Sequence, residues 1–285
     1  MSPSLADARG RKFKPLRAPV RVVSLVPSLT ELLFDLGLRE EEVVGRTRFC
    51  VHPAGRVENV PVVGGTKSIN VAEVLALQPD LVIAGREENP KEAIEKIEDA
   101  ESPPRVFVTN PESLDEALDM IRDIGVLIGR RGDAQKIAER IDGLRSRLDP
   151  PSRGTALYLI WMKPFMTVAP GTFIHDMMRL AGYRNAIAPS HMEGHRSGSR
   201  IAARYPEITV ADIAAIGPDS ILLSSEPFPF EEEHVGLLRQ QLAAIDAGYA
   251  GRASIRIVNG EHFSWYGSRL MTALEAFERE LSGIS

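Results

Sequence analysis

Hydrophobic positions along the chain follow two periods. Short apolar runs bounded by turn residues read as buried strands, at 21–26, 43–44, 61–63, 80–84, 105–108, 155–161, 220–223 and 254–258. Between them, apolar residues three and four apart read as helices, at 28–37, 70–77, 90–99, 172–180, from Thr209, at 231–245 and at 267–281. Ser28 with Glu31, and Ser113 with Glu116, have capping-box spacing. The longest helical pattern runs from Pro111 to Asp149. Leu114, Leu118, Ile121, Ile124 and Ile128 carry it, then Ile137, Ile141, Leu144 and Leu148, until Pro150 and Pro151 forbid continuation. It predicts one long helix whose weak place is Gly129–Gly132, where a kink or a two-helix version stays open.

Segment 70–83 matches 209–222 position by position: an N-cap residue, a carboxylate three places on, a short helix, a Pro-Asp turn and an apolar strand. The repeat predicts an α/β protein of two similar lobes with mainly parallel sheets, joined by the long backbone helix, with a ligand cleft between the lobes at the strand ends. The expected division is a basic arm over 1–19, an N-terminal lobe over 20–110, the helix over 111–149 and a C-terminal lobe over 150–285.

Composition narrows function mainly by exclusion. The 285 residues are 44% hydrophobic and 26% charged, with a net charge of -5, which argues against nucleic acid as main partner. Basic residues cluster at the start (Arg9, Arg11, Lys12, Lys14, Arg17 and Arg21), read as a solvated arm with a binding role as the alternative. The single Cys50 excludes an internal disulfide and a multi-cysteine metal site. Residues 1–19 lack an apolar signal region and no run is long enough to span a membrane, so the expectation is a cytoplasmic monomer, or a periplasmic or cell-surface protein if the true N-terminus differs. There is no GxSxG elbow, Walker loop or dinucleotide fingerprint, and Gly64-Gly65-Thr66-Lys67 reads as a tight turn, so no enzyme is expected.

The stretches RVVSLVPSLTE from Arg21, GGTK from Gly64, LQPDLVIA from Leu77 and REEN from Arg86, in that order, resemble the cobalamin and iron-siderophore substrate-binding proteins of ABC importers, the helical-backbone or type III periplasmic receptors. The resemblance covers roughly residues 20–282. It implies a non-enzymatic receptor for a metal chelate, cobalamin-like or a ferric siderophore, with an ABC permease as further partner and no tightly bound cofactor. The alternatives are a cytoplasmic binding or regulatory protein reusing the fold, and a bare divalent-metal receptor. The transporter-docking glutamates that the family offers fall on Ala72 and Ala211; the neighbouring Glu73 and Asp212 could replace them or could instead close capping boxes.

Ligand candidates follow the strand ends. In the first half they are Arg48 and Phe49 after one strand and Arg86 after another; in the second they are Trp161 and Phe165. The resemblance adds the segment after the last strand, with His262, Trp265, Tyr266 and Arg269. Aromatic faces suit stacking on a flat ligand, and arginines suit its anionic groups. His191, His195 and His262 are the weak metal-ligand candidates; the first two flank Gly194 in a loop and lack the HExxH order.

Overall fold

The computed structural model describes residues 5–17, 20–187 and 204–282. The chain divides into two compact units, Met1–Pro111 with Asp115–Gly143 and Trp265–Met271, and Glu112–Leu114 with Leu144–Ser264 and Thr272–Ser285.

The first unit holds strands β1 (Val22–Ser24), β2 (Val43–Arg46), β3 (Leu81–Gly85) and β4 (Arg105–Thr109), all parallel in the order β2-β1-β3-β4. Central β3 is buried at every position, as its unbroken apolar run requires of a strand covered on both faces. Helices α1 (Pro27–Asp35), α2 (Val71–Ala76) and α3 (Lys91–Glu98) return the chain between strands. Val23, Leu25, Val82, Val106, Val74 and Ile97 belong to one core cluster. The Ser28–Glu31 capping box expected for α1 does not form. Val26 is the N-cap with no side-chain bond, Pro27 opens the helix, and Ser28 is buried inside it. Proline at the first position supplies the helical φ and lacks the N–H that a cap would satisfy.

The basic arm is not solvated chain. Ala8 N–H donates to Val108 C=O at 2.8 Å, the Arg9 guanidinium donates to Val106 C=O at 2.8 Å, and Phe13 meets Phe107 edge-on at 5.2 Å. The arm thereby covers the outer edge of β4, whose backbone groups would otherwise lie open to another chain.

The single long helix expected over 111–149 is two helices, α4 (Leu114–Leu127) and α5 (Arg131–Arg145). Gly129 takes φ +74°, its N–H donates to Val126 C=O at 3.4 Å, and Arg130 N–H donates to Gly125 C=O at 2.7 Å. That pair of bonds is a Schellman C-cap, which ends a helix with a glycine in the left-handed region. A Cβ on Gly125 would lie 2.2 Å from the Ala134 Cβ, so α5 folds back close enough to touch α4. The apolar periodicity carries across the break because both helices bury a stripe, and periodicity alone does not register the corner.

The second unit has β5 (Thr155–Trp161), β6 (Phe165–Thr167), β7 (Arg184–Asn185), β8 (Glu207–Ile208), β9 (Ser220–Ser224) and β10 (Ser254–Val258). The order is β10-β9-β5-β6-β8, with β7 also on β5; β10, β9, β5 and β7 are parallel, while β6 pairs antiparallel with both β5 and β8. Its described helices are α6 (Phe173–Leu180), α7 (Val210–Ile216), α8 (Glu232–Ala243), α9 (Ala247–Arg252), α10 (Glu261–Ser264) and α11 (Leu270–Ser282). Leu157, Leu159, Ile221, Leu223, Ile213, Leu238 and Tyr249 belong to its core cluster. Among the described residues no helix is long and apolar enough to cross a membrane.

Candidate functional site: the strand ends of each unit

All four strands of the first unit are parallel, so their C-terminal ends share one edge of the sheet, the edge where open α/β sheets bind ligands. Asn89 ties that edge together. Its Oδ1 accepts from Gly85 N–H at 2.8 Å, and its Nδ2 donates to the Leu25 and Thr66 carbonyls at 3.1 Å each. It fastens the ends of β1 and β3 to the Gly64–Lys67 turn, which is indeed tight: Gly65 and Ser68 exchange backbone bonds at 3.0 and 3.2 Å. A buried asparagine after a strand was the sequence signal for this staple, hidden in the REEN stretch.

The loop after β2 presents the aromatic candidate. Cys50 N–H donates to Thr47 C=O at 3.1 Å, closing a four-residue turn with Arg48 and Phe49 at its tip. The Cys50 Sγ is buried against the Thr30 and Thr47 hydroxyls at 3.0 and 3.1 Å, and burial pushes its thiol pKa up. The cysteine is therefore an anchor beneath the turn. Phe49 is left 50% exposed, with the Arg48 guanidinium 5.2 Å from its ring centroid and Val51 exposed beside it. Phe49 and Val51 together leave apolar surface open in the loop after β2. Arg86, after β3, is exposed and makes no side-chain bond among the described residues. Arg46 is different: it donates to the Val57 and Thr47 carbonyls and braces the loop. Lys67, read from the sequence only as the end of a tight turn, donates to the Glu87 carbonyl, and burial pushes its pKa down.

The segment Trp265–Met271 belongs to this unit and is built inward. Trp265 is buried, with His52 edge-on at 5.7 Å and the Arg269 guanidinium at 5.2 Å. Arg269, expected to offer a cation to an anionic guest, is held bidentate by Glu31 at 2.8 and 2.6 Å. That ion pair occupies its fork. The Tyr266 hydroxyl donates to Glu88 at 3.1 Å, and burial together with Glu88 holds its pKa well above the usual tyrosine range. Gly85 makes room for it, since a Cβ there would sit 3.1 Å from that hydroxyl oxygen. These residues are thus engaged in packing and pairing within the unit.

In the second unit Trp161 closes β5 with 40% exposure, its ring edge-on to Phe228 at 5.7 Å. Phe228 packs on Phe230 at 4.8 Å and on His234 at 5.3 Å. Phe165 pairs with Ile208 across β6 and β8 and packs against the core, so it leans to structure where Trp161 does not. His262, in α10, sits 3.3 Å from the Asn259 amide and edge-on to Phe277. Among the described residues no three His, Cys, Asp or Glu side chains converge as a metal site. His191 and His195 lie outside the described residues.

The expected docking carboxylates separate. Asp212 closes a capping box: its Oδ2 accepts from Thr209 N–H at 2.9 Å and from the Thr209 hydroxyl at 2.6 Å. Glu73 gives only its N–H to Asn70 Oδ1, at 3.3 Å, and its exposed carboxylate has no partner among the described residues.

The first unit is an open α/β sheet with an exposed aromatic and arginines in the loops at its strand ends. Residues 22–234 match the periplasmic binding protein family, and the chain belongs to that family. It is a non-enzymatic substrate-binding protein of the kind that serves ABC importers. The chain is 23% identical over 261 residues to the vitamin B12-binding protein of Vibrio parahaemolyticus, covering 85% of this chain and 89% of that one. It is 27% identical over 203 residues to the vitamin B12-binding protein of Yersinia pseudotuberculosis, covering 69% and 70%. Among solved structures, the periplasmic vitamin B12-binding protein BtuF of Vibrio cholerae superposes with a TM-score of 0.70 at 22% identity over 93% of this chain and 97% of that one. The periplasmic heme-binding protein RhuT of Roseiflexus sp. RS-1 does so with 0.70 at 23%, over 93% and 99%. The likeness to the solved structures establishes the type III receptor fold. Family membership overturns the cytoplasmic expectation, because these relatives are periplasmic binding proteins. The short basic start was a poor guide to compartment.

Proposed function

We propose that the protein is a periplasmic receptor for a flat macrocyclic metal chelate, cobalamin-like in the first instance, delivered to an ABC permease. The observation that carries this reading is the Phe49 turn after β2: an aromatic face, half exposed, with Arg48 stacked beside it, and with Arg86 two strands away on the same sheet edge, after β3. A ring of that kind stacks on a macrocycle, and the two arginines complement carboxylate or phosphate groups on its rim. The names of the curated relatives support a corrinoid, and the heme-binding neighbours support a macrocycle more generally. Trp161, 40% exposed at the end of β5, is proposed as the stacking residue of the second unit. Trp265 contributes through packing because it is buried, and Tyr266 and Arg269 do so because Glu88 and Glu31 hold their polar ends.

Titration with cobalamin, cobinamide, hemin, a ferric siderophore and free divalent metals, followed by tryptophan fluorescence, tests the reading. Saturable binding of a macrocycle at micromolar levels or tighter is expected, and Phe49→Ala weakens it about 10-fold or more with an unchanged Tm. Siderophore binding without any macrocycle binding, or no saturable binding at all, overturns it.

For the permease, Glu73 is the proposed docking carboxylate, because it alone of the repeated pair is exposed with no side-chain partner among the described residues. Glu73→Ala is expected to abolish stimulation of transport while leaving ligand affinity unchanged. Asp212→Ala should act on stability instead.

A further inference from the structure

The N-terminal arm does more than cover an edge. Arg9 is committed to Asp7, to Glu98 and to the Val106 carbonyl, and Arg11 reaches the same Glu98. Two arginines and two carboxylates thus balance one another at this place. Lys12 and Lys14 remain: both are exposed, and their ammonium groups make no bond among the described residues. Arg105, at the start of β4, donates to the Lys14 carbonyl at 2.8 Å and keeps the rest of its exposed fork for other partners. With Phe13, Pro103 and Pro104 these residues line a cavity of about 520 Å³. Four cations and one acid line it, a formal excess of +3 on a chain whose net charge is -5.

The backbone that carries the cations is fixed in place. Phe13 is seated on Phe107, Phe13 N–H donates to Leu5 C=O at 2.8 Å, and Leu16 N–H donates to Leu127 C=O at 2.8 Å. Holding like charges together on an ordered backbone is unfavourable until an anion joins them, and the ordering is complete before binding. The prolines add a stiff rim without N–H donors. A planar guanidinium beside two mobile ammonium groups suits an oxyanion of more than one charge or several oxygens, and the volume exceeds a bare oxyanion.

We propose that this cavity binds a phosphate-bearing group, as a free phosphate ester or as the headgroup of an anionic phospholipid. The ligand faces at the strand C-terminal ends take no part.

The test uses the full chain at low ionic strength, with glycerol phosphate as the soluble probe and vesicles of phosphatidylcholine with or without phosphatidylglycerol as the lipid probe. Binding to at least one probe is expected. Response to glycerol phosphate as well as vesicles identifies a free ester as ligand; response to anionic vesicles alone identifies the headgroup. In either case Lys12→Gln with Lys14→Gln weakens it about 25-fold, at about 5-fold per lysine. Lys12→Arg with Lys14→Arg restores it, and the remote pair Arg131→Gln with Lys136→Gln leaves it within 2-fold, as does the wild type's load of chelate. Addition of 0.5 M salt removes most of the binding. Absence of binding to both probes, retention of wild-type affinity in the double glutamine variant, or preference for duplex DNA over both probes overturns the proposal. A thermal melt of each variant separates lost binding from lost fold.

Discussion

The segments 70–83 and 209–222 share a sequence pattern and a place in the sheet, yet they close their helices by different chemistry. In each, the Pro-Asp turn delivers a strand beside the first strand of its unit: β3 pairs with β1 from Val22↔Leu81, and β9 pairs with β5 from Ala156↔Ser220. In each, the aspartate holds the residue that starts the neighbouring strand. Asp80 accepts from Arg21 N–H at 2.8 Å, and Asp219 accepts from Thr155 N–H at 2.7 Å. The helix ends differ. Gly217 ends α7 in the left-handed region at φ +60°, where glycine has no steric penalty. Its counterpart Gln78 occupies the same region at φ +46°, and the Arg21 guanidinium caps the Leu77 and Gln78 carbonyls at 2.7 and 3.3 Å. The helix starts differ too, since Asp212 is bound into its cap and Glu73 is not. A repeated backbone therefore keeps its turn geometry while the side chains that satisfy it drift, and a carboxylate released from capping becomes available for docking.

The largest effect is expected where the backbone demands glycine. Gly217→Val places a β-branched residue in the left-handed region and should lower stability by about 2 kcal/mol, read by urea denaturation. A loss near zero would mean the turn can relax, and the equivalence with Gln78 would lose its basis. Next come the caps. Thr209→Ala removes the hydroxyl that accepts from Asp212 N–H at 3.1 Å and donates to the Asp212 carboxylate at 2.6 Å, for about 1–2 kcal/mol. Asn70→Ala removes one bond and should cost about 1 kcal/mol. Equal losses would show that the hydroxyl's bond to the Asp212 carboxylate contributes nothing measurable. Smaller still, Gln78→Gly should raise stability by about 0.5–1 kcal/mol, because relief of the left-handed penalty exceeds the added chain entropy.

The parts legible in the sequence were those written in local pattern. The repeat, the Pro-Asp turns, the Asn70 and Thr209 caps and the buried strand β3 follow from periodicity and turn chemistry, and they were enough to define the fold class. What escaped depends on contacts distant in sequence. Glu31 lies three residues after Ser28, as a capping box asks, yet it binds Arg269, which no local rule connects to it. The Gly129 corner was visible as a weak place, but whether α4 bends or stops depends on Ala134 meeting Gly125. At the candidate site the loop placement of Arg48 and Phe49 was readable. The burial of Trp265 was not, because His52 and Arg269 cover it from separate parts of the chain.

The smallest effect is also the most selective for the comparison. Thr155 N–H and the Thr155 hydroxyl both donate to Asp219, and these bonds hold its carboxyl pKa below the ordinary aspartate value. A group depressed in the folded state contributes stability above its unfolded pKa, about 3.9. That contribution is lost as pH falls through the lower folded value. Asp219→Asn keeps an oxygen acceptor and removes the titration. The difference in Tm between wild type and Asp219→Asn should therefore stay constant from pH 7 to about pH 4 and shrink toward zero below it. If the difference is the same at pH 2.5 as at pH 7, the ionised carboxylate is not what holds Thr155, and the strand-start clamp must act through shape and the neutral hydrogen bond.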